Sequence, residues 1–227
     1  MPRGLFVTGT DTGVGKTVVS AALMCLYRRR APVRYWKPIQ TGIEQDDDTA
    51  EVVRLAGCGP AEIVDSGVRL RHAVSPHLAA RLAGRSINVD SVLSSMPTAT
   101  DEGAADAGAA FRRPGTFWII EGAGGVLVPL NDEQLMVDLM SRLGLPALVV
   151  ARTALGTINH TLLTLDVLRR RAIAVAAVVM SGAPDAAARE AIGRHGGVTV
   201  MQLPVLEPLG PAAVAGWAEL SGATWPI

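Results

Sequence analysis

Residues Gly9 to Thr17 read GTDTGVGKT and follow the apolar run Leu5-Phe6-Val7 with Thr8 between. Glycines in such a loop let the backbone turn tightly and aim its N–H groups at an anion. A lysine just after them can reach the outer phosphates, and the next hydroxyl can sit on Mg²⁺. The chain supplies these parts in order: a strand, a turn holding Gly13, Val14 and Gly15, then Lys16, Thr17 and Val18 opening a helix. That helix carries Val18, Val19, Ala22, Leu23 and Leu26 on one side, as an amphipathic helix should. Five residues separate Gly9 from Gly15, where the common pattern has four, which assigns the loop to a sub-branch of phosphate-loop proteins. The plainer alternative is a glycine turn with a helix-capping threonine.

Other residues could act on a bound phosphate. Glu121 ends the hydrophobic stretch Trp118-Ile119-Ile120, where a carboxylate is costly unless paired or metal-bound. Asp48 closes the acidic run Asp46-Asp47-Asp48 at a helix start; taken alone, it reads as a helix cap. Thr17, Asp48 and Glu121 together would suffice for Mg²⁺, which takes one or two carboxylates plus phosphate oxygens and water. Lys37 stands at another strand end. It is either a solvated terminal charge or a group that neutralises a transferred phosphoryl.

The elements that must position these residues alternate. Strands are predicted at 5–8, 33–37, 116–121, 147–151, 175–180 and 198–203, mostly as aliphatic runs typical of strands covered on both faces. Helices are predicted at 16–30, 49–56, 76–83, within 89–111, and at 133–142, 157–171 and 185–195. The fold class is α/β, a mostly parallel sheet with helices on both faces, in one domain spanning 1–227. The Ala/Gly/Asp-rich stretch 98–108 reads as a frayed helix or loop. Ligands bind such sheets at the carboxyl ends of the strands. The chain places there, after successive strands, the phosphate loop, Lys37-Pro38-Ile39-Gln40-Thr41-Gly42, Glu121-Gly122-Ala123-Gly124-Gly125, Thr153–His160, Ser181-Gly182-Ala183-Pro184 and Pro204-Val205-Leu206.

Composition sets outer bounds. The 227 residues suit one α/β domain, and with 49% apolar but 4% aromatic residues the core is aliphatic. Twenty-one basic residues balance 21 acidic ones, which argues against a nucleic-acid or membrane electrostatic footprint. Cys25 and Cys58 are too few for a disulfide framework. With no membrane-length apolar run and no signal peptide ahead of the first strand, the expectation is a cytoplasmic protein. The runs Arg28-Arg29-Arg30 and Arg169-Arg170-Arg171 end helices, where positive charge suits the dipole. The four histidines show no metal-ligand spacing.

As a set, GTDTGVGKT, KPIQTG, EGAGG and LGTINH, in this order and spacing, resemble the dethiobiotin synthetase family, and the resemblance extends to about Pro211. It implies closure of the ureido ring of dethiobiotin from 7,8-diaminopelargonate, CO₂ and a nucleoside triphosphate with Mg²⁺, through a carbamate and a carbamic–phosphoric anhydride. It implies that Lys37 and Lys16 stabilise the carbamate and the phosphoryl group, and that Thr17, Asp48 and Glu121 hold the metal. Thr12, Thr41 and Gly124 would face the substrate, with the backbone of Glu121, Gly122, Ala123 and Gly124 along substrate and phosphates. Leu155, Gly156 and Asn159 would reach across a two-fold homodimer to the partner's substrate carboxylate; read alone, Asn159 is a first-turn capping residue. The loops holding Ser181, Gly182, Pro204, Val205 and Leu206 would surround the base.

The chain departs from the family pattern twice. Gly13 stands where many members have glutamate, and Ser181-Gly182 replaces an Asn-Asp pair that contacts adenine. An asparagine amide can read a base edge bidentately and a serine hydroxyl cannot, so the resemblance leaves the base open between ATP and another triphosphate such as CTP. Two alternatives share the nucleotide fold. Synthetases of cobalamin precursors usually carry an added glutamine-hydrolysing domain, for which 227 residues leave no room. Chromosome-partitioning ATPases place a lysine early in the phosphate loop, where this chain has Asp11.

Overall fold

The computed structural model describes residues 3–96 and 115–221. Seven parallel strands form one sheet, in the order β4 (Ile63–Val64), β2 (Val33–Trp36), β6 (Phe117–Gly125), β1 (Arg3–Gly9), β7 (Ala147–Arg152), β8 (Val175–Ser181) and β9 (Val200–Leu203). Every pairing in it is parallel, so the carboxyl ends line one edge. The mostly parallel α/β sheet expected from the alternating pattern is the observed one.

Side-chain alternation sorts this sheet into two faces. Leu5, Val7, Val33, Tyr35, Phe117 and Ile119 pack with α1 (Lys16–Arg28), α2 (Asp48–Ala56) and α8 (Pro211–Ser221). Phe6, Trp36, Trp118 and Ile120 pack on the opposite face, with α3 (Pro76–Leu82), α4 (Val89–Ser94), α5 (Met136–Leu143), α6 (Thr157–Arg170) and α7 (Ala186–Gly196). Both faces are covered, as aliphatic parallel strands require.

Register then positions the chemistry. Trp36 pairs with Ile120 and Val7 with Glu121, so Lys37, one residue past β2, comes level with Glu121. Odd-numbered residues of both strands point toward α1, and Lys37 and Glu121 continue that series. Thr17 and Ser20 lie three residues apart on α1, on one side of that helix.

Several predicted boundaries shift for local reasons. Glu133 and Gln134 are not helical, because the Asn131 side chain accepts their N–H groups at 2.8 and 2.7 Å and holds a turn; α5 starts at Met136. Helix α2 begins at Asp48 with Asp47 as its cap, whose side chain accepts from Thr49 and Ala50. Asp185 caps α7 by accepting from Ala188. Strand β6 runs on to Gly125. A small parallel sheet of β3 (Ile39–Thr41) and β5 (Val68–Leu70), and helix α8, were not expected. Three-residue strands carry too little period to read, and α8 is apolar on most sides with Gly216 inside it. Of the helical stretch expected within 89–111, α4 is observed; positions 97–111, with the 98–108 segment, lie outside the described residues. Among those residues no helix is long and apolar enough to cross a membrane.

Candidate active site

The phosphate loop leaves β1 and turns back through Gly13 and Gly15, whose φ values of 68° and 96° lie in the left-handed region that glycine adopts without strain. Gly15 thereby serves as the N-cap of α1, so the helix start faces the loop's concave side. Val14 is buried and anchors the turn to the α1-side core, and Val18 packs at its margin. Lys16 is buried too, and its Nζ donates to the Asp11 carbonyl at 3.1 Å. Burial, then the nearby charge of Lys37, holds the Lys16 pKa below its ordinary value. A poorly solvated ammonium of this kind is poised for an anion.

Beside the loop lies a buried charged cluster. Lys37, 2% exposed, is 2.5 Å from Asp48 Oδ2 and 2.9 Å from Glu121 Oε1, and donates to the Gly122 carbonyl at 3.0 Å. All three ammonium protons therefore have acceptors. Burial opposes the Lys37 charge, but Glu121 and Asp48 outweigh it and raise its pKa above the ordinary value. At Asp48 burial is likewise opposed, and overcome, by Lys37 and by the hydroxyl of Thr17, leaving the pKa low. Thr17 Oγ1 donates to Asp48 Oδ1 at 2.7 Å and approaches Glu121 Oε1 at 3.3 Å. The three residues expected to share a metal thus converge on one point. Two carboxylates and a hydroxyl at a phosphate loop fit Mg²⁺, which completes its shell with phosphate and water oxygens. Asp48 turns into this cluster and leaves the capping role to Asp47, a division that three consecutive aspartates do not reveal.

A cavity of about 400 Å³ opens over the cluster. Thr12, Gly13, Gly15, Lys16, Thr17, Lys37, Thr41, Asp48, Ala123 and Gly124 line it, so most of the expected phosphate, metal and substrate residues meet there. It is also bounded by Gln45, Asp46 and Val128, not foreseen as lining, and by the segment Ala73–Pro76, whose Ser75-Pro76 reads in the sequence as a helix start near the substrate. Gln40, within the KPIQTG run, organises one wall, donating to the carbonyls of Thr41 and Asp46 at 2.9 and 2.8 Å.

Comparison with known proteins decides among the alternatives. Residues 3–213 match the family described as AAA domain. The ATP-dependent dethiobiotin synthetase BioD of Paramagnetospirillum magneticum is 47% identical over 215 residues, covering 94% of each chain. Its namesake from Agrobacterium fabrum is 42% identical over 209 residues, with 92% of this chain and 89% of that one covered. This chain belongs to the dethiobiotin synthetase family. It is a synthetase of biotin biosynthesis, and the partitioning-ATPase alternative is set aside. A ParA family ATPase from Chlorobium tepidum superposes with a TM-score of 0.53, covering 96% of this chain and 98% of that one, at 10% identity; this likeness shows the shared fold alone.

The remaining residues expected from the dethiobiotin synthetase resemblance lie apart from the cluster. Ser181 borders the phosphate loop, since a β-carbon built on Gly15 would come within 2.7 Å of its Oγ. Gly182, with φ 129°, packs against Thr153. Pro204 and Val205 are exposed beyond β9, and Leu206 packs on the α1-side core. Leu155, Gly156 and Asn159 are not among the residues lining the cavity. They form the start of α6, where Leu155 is fully exposed, Gly156 is the N-cap at φ 93° and Asn159 is exposed. Two residues of the charged cluster escaped notice in the sequence: Ser20 and Tyr35 both donate to Glu121. Their signal was position alone, Ser20 one turn after Thr17 and Tyr35 two residues before Lys37.

Proposed function

We propose that this chain joins 7,8-diaminopelargonate and CO₂, at the expense of a nucleoside triphosphate, to close the ureido ring of dethiobiotin. The carrying observation is the convergence of Lys16, Thr17, Lys37, Asp48 and Glu121 under a cavity whose other wall holds Thr12, Thr41 and Gly124. One substrate amine adds to CO₂, loses a proton and becomes a carbamate. A carbamate oxygen then attacks the γ-phosphorus, the nucleoside diphosphate leaves, and a carbamic–phosphoric anhydride results. The second amine attacks the carbonyl carbon, inorganic phosphate departs, and the ring closes. No protein nucleophile is needed, so the catalytic burden is positioning and charge neutralisation.

The residues divide that work. Backbone N–H groups of Gly13 to Val18 cradle the phosphates, and Lys16 neutralises their outer oxygens. Lys37 exchanges one of its carboxylate acceptors for an oxygen of the reacting carbamate or phosphoryl group. Thr17, Asp48 and Glu121 would hold Mg²⁺, which supplies charge neutralisation between the phosphates. Thr12, Thr41 and the backbone of Glu121–Gly124 bound the diamine. Ser181, Gly182, Pro204, Val205 and Leu206 would border a base that is ATP's adenine or that of another triphosphate such as CTP. Leu155, Gly156 and Asn159 would serve the partner subunit of a homodimer. Their exposure at the start of α6, with Ile158 and Leu163 also exposed, supports a covered face there. A single domain, a cytoplasmic location and independence from nucleic acid and membrane complete the reading, supported by balanced charge and two free cysteines.

The test is product formation from the diamine and bicarbonate against four nucleoside triphosphates. Dethiobiotin that requires both CO₂ and triphosphate is expected. Triphosphate hydrolysis indifferent to diamine and CO₂, with no product, would overturn the reading.

A further inference from the structure

Glu121 is fully buried within β6, and its two oxygens face different company. Oε1 meets the reactive side: Lys37 Nζ at 2.9 Å and Thr17 Oγ1 at 3.3 Å. Oε2 meets two hydroxyls, Ser20 Oγ at 2.7 Å and Tyr35 OH at 3.1 Å. Ser20 and Tyr35 are themselves 0% exposed and lie outside the cavity lining. Neither borders the cavity, and each donates its hydroxyl to Glu121. Each hydroxyl has one proton, and both protons go to the same carboxylate oxygen.

We infer that Tyr35 and Ser20 are positioning residues for Glu121. A glutamate has a broad terminal torsion, so nothing intrinsic keeps one particular oxygen on the reactive side. Here Oε2 is tied to a helix and a strand that pack in the same core, and Oε1 is left aimed at Lys37 and Thr17. Rotation of the carboxylate would break two charge-assisted hydrogen bonds in a site that water does not reach to replace them. Tyr35 is the more informative of the pair. It sits on β2 two residues before Lys37, so one short stretch of chain carries both the lysine that faces Oε1 and the phenol that fixes Oε2.

This inference rests on the proposed role of Glu121, and the test separates the two. Tyr35→Phe and Glu121→Gln are made singly and together. Mg²⁺-dependent triphosphate binding is measured by calorimetry, kcat and the diamine KM by product formation, and folding by circular dichroism and the Tm of the protein without nucleotide. In the parent background, Tyr35→Phe is expected to weaken Mg²⁺-dependent binding and kcat each by about tenfold, the scale of one hydrogen bond to a charged group. The diamine KM should stay within about twofold. In the Glu121→Gln background the same change should alter neither quantity by more than about twofold, because the hydroxyl acts only through that carboxylate. Equal losses in both backgrounds would make Tyr35 a merely structural residue, and parental binding and kcat in Tyr35→Phe would remove its role altogether; either result overturns the inference and leaves the function standing. A Glu121→Gln protein with parental Mg²⁺ dependence and turnover would overturn the reading of Glu121 itself. Ser20→Ala, run through the same cycle, provides the answer if Tyr35→Phe fails to fold, with the same expected and overturning outcomes.

Discussion

Lys37 and Asn159 are assigned to one reaction but stand in opposite surroundings. Lys37 is sealed between β2 and β6 and meets three acceptors within 3.0 Å. Asn159 sits on the exposed first turn of α6, behind a fully exposed Leu155 and outside the lining of the cavity. Folding of a single chain completes the first environment: sheet register brings the lysine level with Glu121, and α1 and α2 supply Thr17 and Asp48. It does not complete the second, where a leucine and an amide face outward. The contrast separates the chemical centre, organised within one chain, from an exposed helix start that, on the proposed reading, would need a second surface.

The comparison breaks most sharply at Lys37. Its replacement by Ala should lower turnover by roughly 10²–10³-fold, the scale lost when a charge-stabilising donor is removed. Triphosphate binding with Mg²⁺ should stay within a few-fold, because the loop backbone and Lys16 remain. Single-turnover kinetics and nucleotide titration measure the two separately. Turnover within a few-fold of the parent would return Lys37 to the status of a buried counter-ion.

The outward-facing site makes a different demand. Asn159→Ala and Lys37→Ala proteins, each expected to be nearly inactive alone, should complement when co-expressed. A mixed dimer would carry both defects in one site and neither in the other. Random pairing makes roughly half the dimers mixed, so recovery should reach up to about a quarter of parental turnover. Absence of recovery, with mixed dimers verified by mass, would place Asn159 in its own subunit's site or in none.

How much of this was legible in sequence follows the same division. The phosphate loop, the sheet, the strand-end position of Lys37 and the place of Glu121 after an aliphatic run could be read because they depend on local pattern, although β6 runs on past Glu121 to Gly125. The Ser20 and Tyr35 contacts could not. They depend on which residues of three separated elements share one face, and a lone serine in a helix or a tyrosine in a strand carries no mark of that. Asp48 lay between. Its helix start was legible, but which of three successive aspartates caps the helix is settled by backbone geometry at Asp47. Of the loop Ala73–Pro76, Ser75-Pro76 could be read as a helix start near the substrate but with no chemistry of its own, because the loop holds no charged residue.

The loop proposed to border the base extends the comparison to a third environment, one whose backbone is already engaged. The Ser181 carbonyl accepts from Thr153 N at 3.1 Å, the Gly182 N–H donates to Leu203, and the Gly182 carbonyl accepts from Gln202. These atoms are used by the fold, and neither side chain offers an amide to a base edge. Discrimination by large factors requires buried polar groups matched to one ligand. The four triphosphates should therefore support kcat/KM values within about tenfold of one another. A preference for one base beyond about a hundredfold would locate base recognition elsewhere, with the Pro204–Leu206 segment the first place to look.

The smallest expected effect concerns stability, and it sharpens what burial does for the charged centre. The Asp48 pKa is held below its ordinary value of 3.8, because Lys37 and the Thr17 hydroxyl overcome the cost of burial. A depressed carboxylate contributes stability above its unfolded pKa and loses it as pH falls through the folded one. Lys37 has the opposite sign. Its pKa is raised above 10.5, so its contribution is full below that value and disappears as pH rises through the folded pKa. Asp48→Asn removes one partner of each effect. In the nucleotide-free protein its Tm should sit about 2–4 °C below the parent at neutral pH, the shift that ~1 kcal/mol produces in a protein of this size. The two Tm curves should run parallel between pH 3.8 and 10.5 and converge outside that window at both ends. Curves that stay parallel from pH 2.5 to 11 would mean that Asp48 stabilises the fold through packing, with its charge playing no part.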